Sequence, residues 1–197
     1  ATRFGKDLIW FGDDTFNLDR RRNMAICREL LERGLDVAWG MEARADLLAR
    51  DKDLIGLMKE AGLFWVLLGV EGASDAELRR YGKGITLRQV REAIRALKDH
   101  DIIVQAMFII GERKDTKASI LAKERLAEEL DVDFAIFTPL TPFPGTPLYE
   151  QAEQEGWLEV RDWSKYDLAH AIMPTETLSR REVQALMVAC YRRFFLR

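Results

Sequence analysis

The chain has 197 residues, a formal charge of −3, and 48% hydrophobic and 32% charged residues. That is the make-up of an ordinary globule large enough for one well-buried core, alone or with an appendage. The slightly acidic balance argues against a broad nucleic-acid footprint. No apolar run nears the roughly 20 residues that span a bilayer, and no secretory leader opens the chain, so a cytoplasmic protein acting on a small molecule is expected.

Five apolar segments punctuate the chain, each leaving through glycine or acidic residues: 7–14, 36–44, 64–71, 102–111 and 133–139. Between them lie amphipathic stretches with legible ends. Arg20 to Arg33 runs to a stop at Gly34, and Asp46 to Ala61 to a stop at Gly62. Ser74-Asp-Ala-Glu77 and Thr86-Leu-Arg-Gln89 read as capping boxes, the second opening a helix with an apolar face of Leu87, Val90, Ile94 and Leu97. Thr116 to Leu130 follows the fourth segment. Thr146-Pro147 sets a capping residue before a first-turn proline, opening a short helix to Glu155. Residues 156–177 are aromatic-rich and irregular, and Ser179-Arg-Arg-Glu182 caps a last helix. Strand and helix alternating five times predict right-handed βαβ crossovers and a parallel sheet. A closed eight-unit barrel takes about 250 residues, so the expectation is an open or partial barrel.

In such sheets ligands bind where the strands end. Gly12-Asp13-Asp14 ends the first strand, and its carboxylates can take an ammonium group, a divalent cation or the cap of the next helix. Glu42 and Arg44 leave the second strand on one side of the chain, where a surface ion pair between them is the alternative. Glu71 closes the third strand among glycines that let a ligand approach the backbone, and can accept from sugar hydroxyls. Lys83 lies in a Tyr-Gly-Lys-Gly loop, where a solvated lysine is the ordinary explanation. Gly111 opens a turn, residues 111–116, whose backbone N–H groups can meet an anion or an adenine edge. Four of the chain's five prolines crowd into 139–147, stiffening a loop on the same edge. His100 and His170 make poor ligands in their surroundings. Cys27 and Cys190 belong to no CxxC pair and fall on helical apolar stripes, Met24, Leu30 and Leu31 in the first case, so both are expected as reduced core thiols.

Taken in order, Phe11-Gly-Asp-Asp-Thr-Phe16, Trp39-Gly-Met-Glu-Ala-Arg44, Leu68-Gly-Val-Glu71 with Lys83-Gly-Ile-Thr86, Phe108-Ile-Ile-Gly111, Thr141-Pro-Phe-Pro-Gly-Thr146, and a tail running from Trp163-Ser-Lys-Tyr166 to Tyr191-Arg-Arg-Phe194 resemble the radical S-adenosylmethionine superfamily. The similar group is the cobalamin-associated one that includes the anaerobic magnesium-protoporphyrin monomethyl ester cyclases. The resemblance implies a partial (β/α)6 barrel, α/β in class, with about five units present in 1–156 and an aromatic-rich extension with a C-terminal helix in 157–197. It also implies S-adenosylmethionine and a 4Fe-4S cluster as cofactors, with cobalamin in a separate upstream domain and methyl transfer or oxidative cyclisation as the chemistry. Residue by residue it assigns Gly12, Asp13 and Asp14 to the methionine amino end. Glu42, Arg44, Glu71 and Lys83 fall to the ribose or carboxylate, and Gly111 to the adenine.

The sequence departs from that pattern twice. The CxxxCxxC motif that holds such a cluster is absent, and the expectation is that it lies upstream, in a longer protein of which this is a piece that is inactive alone. Glu112 stands where the family usually has proline. Two other functions remain open at this point: a barrel-derived binding module without chemistry, and a magnesium-dependent hydrolase or lyase using Asp13 and Asp14.

Overall fold

The computed structural model describes residue 5 and residues 7–196; Ala1 and Arg197, at the ends of the chain, lie outside the described residues. All five expected strands form: β1 Leu8–Phe11, β2 Ala38–Ala43, β3 Leu63–Glu71, β4 Ile103–Ile110 and β5 Phe134–Pro139. They make one parallel sheet in sequence order, β1-β2-β3-β4-β5, the arrangement that successive crossovers of one hand produce. The register sets Trp10 level with Gly40 and Gly40 level with Trp65. The chain divides into two compact units, one of residues 1–70, 74–106 and 130–134, the other of residues 71–73, 107–129 and 135–197.

In the first unit, α1 (Arg20–Glu32) is capped by Asp19, whose carboxylate accepts from the backbone N–H groups of Arg21 and Arg22. Cys27 is buried as expected, but Leu31 is exposed, and the second inward position of the helix is Asn23. The continuous helix expected over 46–61 is instead α2 (Ala45–Arg50), a 3₁₀ turn over Lys52–Leu54, and α3 (Ile55–Glu60). An unbroken helix burying Leu48 would turn Asp51 and Lys52 inward one turn later. The break exposes Lys52, brings Leu54 and Ile55 in, and leaves Asp51, its side chain 14% exposed, paired with Arg50 and Arg20. Helices α4 (Asp75–Arg80) and α5 (Leu87–Lys98) begin at Ser74 and Thr86, and α5 has the full reciprocal capping box with Gln89.

Strands β3 and β4 alternate between a buried face, with Val66, Leu68 and Val104 in it, and a half-exposed face. On the half-exposed face of this unit sits a band of rings. Trp65 stacks on Phe134 at 5.0 Å and 8° between planes and donates its indole N–H to Gln105 Oε1 at 3.1 Å. At Gly40 a side chain is excluded, because a Cβ would fall into the indole ring of Trp10.

In the second unit, α6 (Lys117–Glu129) and α8 (Arg180–Phe195) flank β5, with α7 (Pro147–Gln154) between them in sequence. The caps expected at Thr146 and Ser179 both form, the second as a full capping box with Glu182. Helix α8 buries Val183, Leu186, Met187, Cys190 and Phe194, so Cys190 lies on an apolar stripe as expected. Its Tyr191 hydroxyl accepts from the Phe137 N–H at 3.1 Å. Lys123 and Asp115, both fully buried, pair at 2.8 Å, and Ser119 Oγ also donates to Asp115. Glu124, buried beside them in sequence, pairs through one oxygen with Arg193 at 2.9 Å, and its Oε1 meets no partner. Among the described residues no helix is long and apolar enough to cross a membrane.

Candidate functional site

In the first unit, β1 ends at Phe11 level with Met41, so the chain leaves the sheet at Gly12 one step on, while β2 runs on past Glu42 to Ala43 against β3. A Cβ at Gly12 would meet nothing within 4 Å, so the backbone there faces open space. Capping of the next helix falls to Asp19, which releases the two carboxylates after Gly12 from that duty. Asp13 pairs with Arg22 at 3.0 Å, both side chains largely exposed, and the same guanidinium lies 4.9 Å over the Phe16 ring. An exposed pair of this kind is worth under about 1 kcal/mol and exchanges easily for a ligand. Asp14 is exposed, and Glu42 is half-buried on the face that also carries Gly40. Neither has a hydrogen bond or ion pair among the described residues.

Arg44 does not pair with Glu42. Its guanidinium grips Asp46 through two hydrogen bonds of 3.0 and 3.1 Å and donates to the Lys83 carbonyl at 3.2 Å. Two of the expected site residues, Arg44 and Lys83, are therefore brought together. The backbone of Arg44 is held in turn by Asn17, only 4% exposed. Its side chain donates to the Arg44 carbonyl and accepts from the Arg44 N–H, each at 3.0 Å, imitating a neighbouring strand. Asn17 escapes sequence reading because an asparagine two residues before a cap looks like an ordinary turn residue.

In the second unit, Glu71 closes β3 with φ +67°, a conformation that a side chain other than glycine, asparagine or aspartate seldom takes and that costs about 1–3 kcal/mol. Gly111 follows β4 with φ +74°, and a Cβ there would press on Val183 Cγ1 at 2.8 Å, so both conformation and packing demand glycine. The turn after it spends its own amides. The N–H of Glu112 goes to Asp115, that of Lys114 to the Glu112 carboxylate, that of Asp115 to the Glu112 carbonyl, and that of Thr116 to Ser119. An anion cradle built from those four groups is not what this turn presents.

A 4Fe-4S cluster needs thiolates, and both thiols are unsuited. Burial pushes Cys27 up to about 11, and burial with the Glu124 carboxylate nearby pushes Cys190 up to about 12. Among the described residues no three of His, Cys, Asp or Glu gather as a metal site, so Asp13 and Asp14 find no third ligand for magnesium either. His100 Nδ1 lies 2.8 Å from the Ala96 carbonyl and His170 pairs with Asp167 at 2.9 Å, both local contacts.

Comparison with known proteins adds to this geometry. The family model of the Radical SAM superfamily matches residues 1–127. The chain is 34% identical over 195 residues to the anaerobic magnesium-protoporphyrin IX monomethyl ester cyclase of Cereibacter sphaeroides, a match covering 98% of this chain and 32% of that protein. It is 33% identical over 194 residues to an uncharacterized methyltransferase of Pyrococcus horikoshii, covering 98% of this chain and 42% of that protein. Among solved structures, the cobalamin- and cluster-bound radical methyltransferase TsrM of Kitasatospora setae superposes with a TM-score of 0.64 at 19% identity, over 81% of this chain and 33% of that one. At that identity the likeness is one of fold. The chain thus spans about a third to two-fifths of the length of the curated relatives it matches.

Proposed function

Because the chain belongs to the radical S-adenosylmethionine superfamily, we propose that it is the larger part of an enzyme's barrel, seating S-adenosylmethionine at the ends of its strands. One observation carries this: Asp14, just past the end of β1, and Glu42, near the end of the neighbouring β2, have no partner among the described residues, and the backbone at Gly12 faces open space. A half-buried carboxylate without a donor is costly, and a ligand bearing an ammonium group and ribose hydroxyls supplies the missing donors. Asp13 and Asp14 then accept from the ammonium. Glu42, Arg44 and Lys83 serve the ribose and carboxylate, with Asn17 and Asp46 fixing where Arg44 stands. The resemblance adds Glu71 for the ribose or carboxylate and Gly111 for the adenine. When bound, S-adenosylmethionine supplies the hydrogen-abstracting chemistry of the superfamily.

The residues present do not fit the cluster, since the two thiols are buried on separate helices and hold their protons. Its cysteine ligands belong to chain outside these 197 residues, and a separate domain of the same protein would hold cobalamin. A small-molecule substrate, processed by methyl transfer or oxidative cyclisation, is consistent with relatives named as a methyltransferase and a cyclase. Residues 1–156 are the partial barrel in this scheme and 157–197 an appended aromatic segment and helix. Two free buried thiols suit a reducing compartment such as the cytoplasm.

Equilibrium binding of S-adenosylmethionine to the whole protein that carries this chain tests the placement. Asp14→Ala and Glu42→Ala should each weaken binding about tenfold or more, the fold unchanged by circular dichroism because neither side chain supports a contact. Unaltered affinity in both variants removes the site from this edge.

A further inference from the structure

Glu112 stands where the family usually has proline, so the turn after β4 takes its shape by other means. A proline there could not donate the N–H that Glu112 gives to Asp115 Oδ2 at 3.2 Å. Asp115, 1% exposed, is itself fixed by Lys123 at 2.8 Å and by the Ser119 hydroxyl at 2.7 Å. Gly111, at the head of the turn, lies so close to Val183 that no Cβ fits. It is buried, yet its N–H and C=O make no hydrogen bond among the described residues. Buried backbone groups of that kind call for a partner.

A second set of ties comes from residues far along the chain, all within the second unit. Arg113 Nη1 donates to the Pro174 carbonyl at 2.7 Å, and the guanidinium lies 4.5 Å over the Trp157 ring. The Arg113 carbonyl accepts from the Glu176 N–H at 2.7 Å, and the Asp115 carbonyl from the Thr177 hydroxyl at 3.1 Å. The strap that receives these ties is stiff in its own right. Thr175, 5% exposed, accepts on its hydroxyl from the N–H groups of Thr177 and Leu178, at 3.1 and 2.9 Å. Trp157 packs in turn on the small core of Ala152, Leu158 and Ile172. Arg113 is thus held through side chain and backbone at once.

We propose that Arg113 is a positioning residue: by clamping the turn to residues 174–177 and Trp157, it holds the Gly111 backbone where it reads the base of S-adenosylmethionine. The inference rests on the seat proposed above and adds what makes that seat selective for adenine. The turn closes on its own amides without help from the strap, so what the strap adds is precision. A group that discriminates between ligands must be held to within about 0.5 Å. Val183 fixes residue 111 from one side, and Arg113 fixes the chain two residues on. A backbone N–H and C=O match the acceptor and donor on the adenine edge. Hypoxanthine, with oxygen for the 6-amino group and a proton on the adjacent nitrogen, reverses both.

The test compares S-adenosylmethionine with its inosine analogue, each titrated into the whole protein that carries this chain. The native protein should prefer the adenosine form by about tenfold or more, because a site with buried polar groups rejects a mismatched edge. Arg113→Met keeps an apolar stem over Trp157 and loses the bond to Pro174. It should weaken S-adenosylmethionine about tenfold and leave the inosine analogue within about twofold, so the preference collapses. Trp157→Leu removes the ring under the guanidinium, leaves every residue of the turn in place, and should lower the preference too; it carries the test if Arg113→Met fails to fold. A native protein without preference overturns the proposal. So does an unchanged ratio in the folded variants, even with a lowered unfolding midpoint, for that is a structural role alone. Asp14→Ala and Glu42→Ala, at the ammonium and ribose end, should weaken both ligands alike at an unchanged ratio, so failure of that seat shows separately.

Discussion

At the scale of single residues, the two cysteines show how burial decides a chemical role. Both are fully buried, and a thiol that resists ionisation is neither a metal ligand nor a nucleophile. The same burial has a consequence for stability. An unfolded thiol ionises near pH 8.5, whereas the folded thiols hold their protons to about 11 and about 12. Their contribution is therefore complete below about pH 8.5 and is lost as pH rises toward the folded values, at up to about 1.4 kcal/mol per pH unit for each thiol. Urea unfolding at pH 8 and pH 10.5 should show a larger drop for the native protein than for Cys27→Ala, the difference cancelling the other groups that titrate there. Equal drops would mean that Cys27 is open to solvent. Arg44 teaches the opposite lesson about sequence spacing. Residues 42 and 44 do share a side, but the guanidinium reaches forward to Asp46 at the start of α2, leaving Glu42 available.

At the scale of elements, α8 closes an exposed problem. Strand β5 is last in the sheet order, and an edge strand presents unpaired amides. Tyr191 gives one of them, the Phe137 N–H, an acceptor. Tyr191→Phe keeps the ring beside Phe137 and removes only that acceptor, so it should cost about 1–3 kcal/mol in urea unfolding; a change under about 0.3 kcal/mol would show that water satisfies the amide instead. Elements were also where sequence patterns served best. The boxes at Thr86 and Ser179 are local chemistry, three residues apart, and formed as their letters said. The break between α2 and α3 was hidden because the apolar positions on either side, Leu48 and Ile55, keep helical phase. Only the tertiary burial of that face makes Lys52 intolerable within it, while Asp51 stays mostly covered by pairing with Arg50 and Arg20.

At the scale of the molecule, five strands in sequence order were legible as five apolar runs, since a strand buried on one face and half-covered on the other leaves a dense hydrophobic signature. Of the candidate site, the positions alone were legible: Gly12 and Asp14 follow β1 and Glu42 lies next to the end of β2, while Asn17, which holds Arg44 from 27 residues away, is visible only once the chain is folded. The cluster poses the sharpest whole-molecule test. Given ferrous iron and sulfide without oxygen, the 197-residue chain should hold well below one cluster per chain, because no thiolates gather within it. Iron near about four per chain would overturn the assignment of the cluster's ligands to chain outside these residues.

The indole of Trp10 lying where a side chain of residue 40 would be makes two positions thirty residues apart one unit of inheritance. Neither can drift alone: a methyl group gained at 40 evicts the ring, and a ring lost at 10 leaves a hollow over bare backbone. Among descendants of this sequence, glycine at 40 should travel with a large ring at 10, and an exchange at either should arrive only with its counterpart.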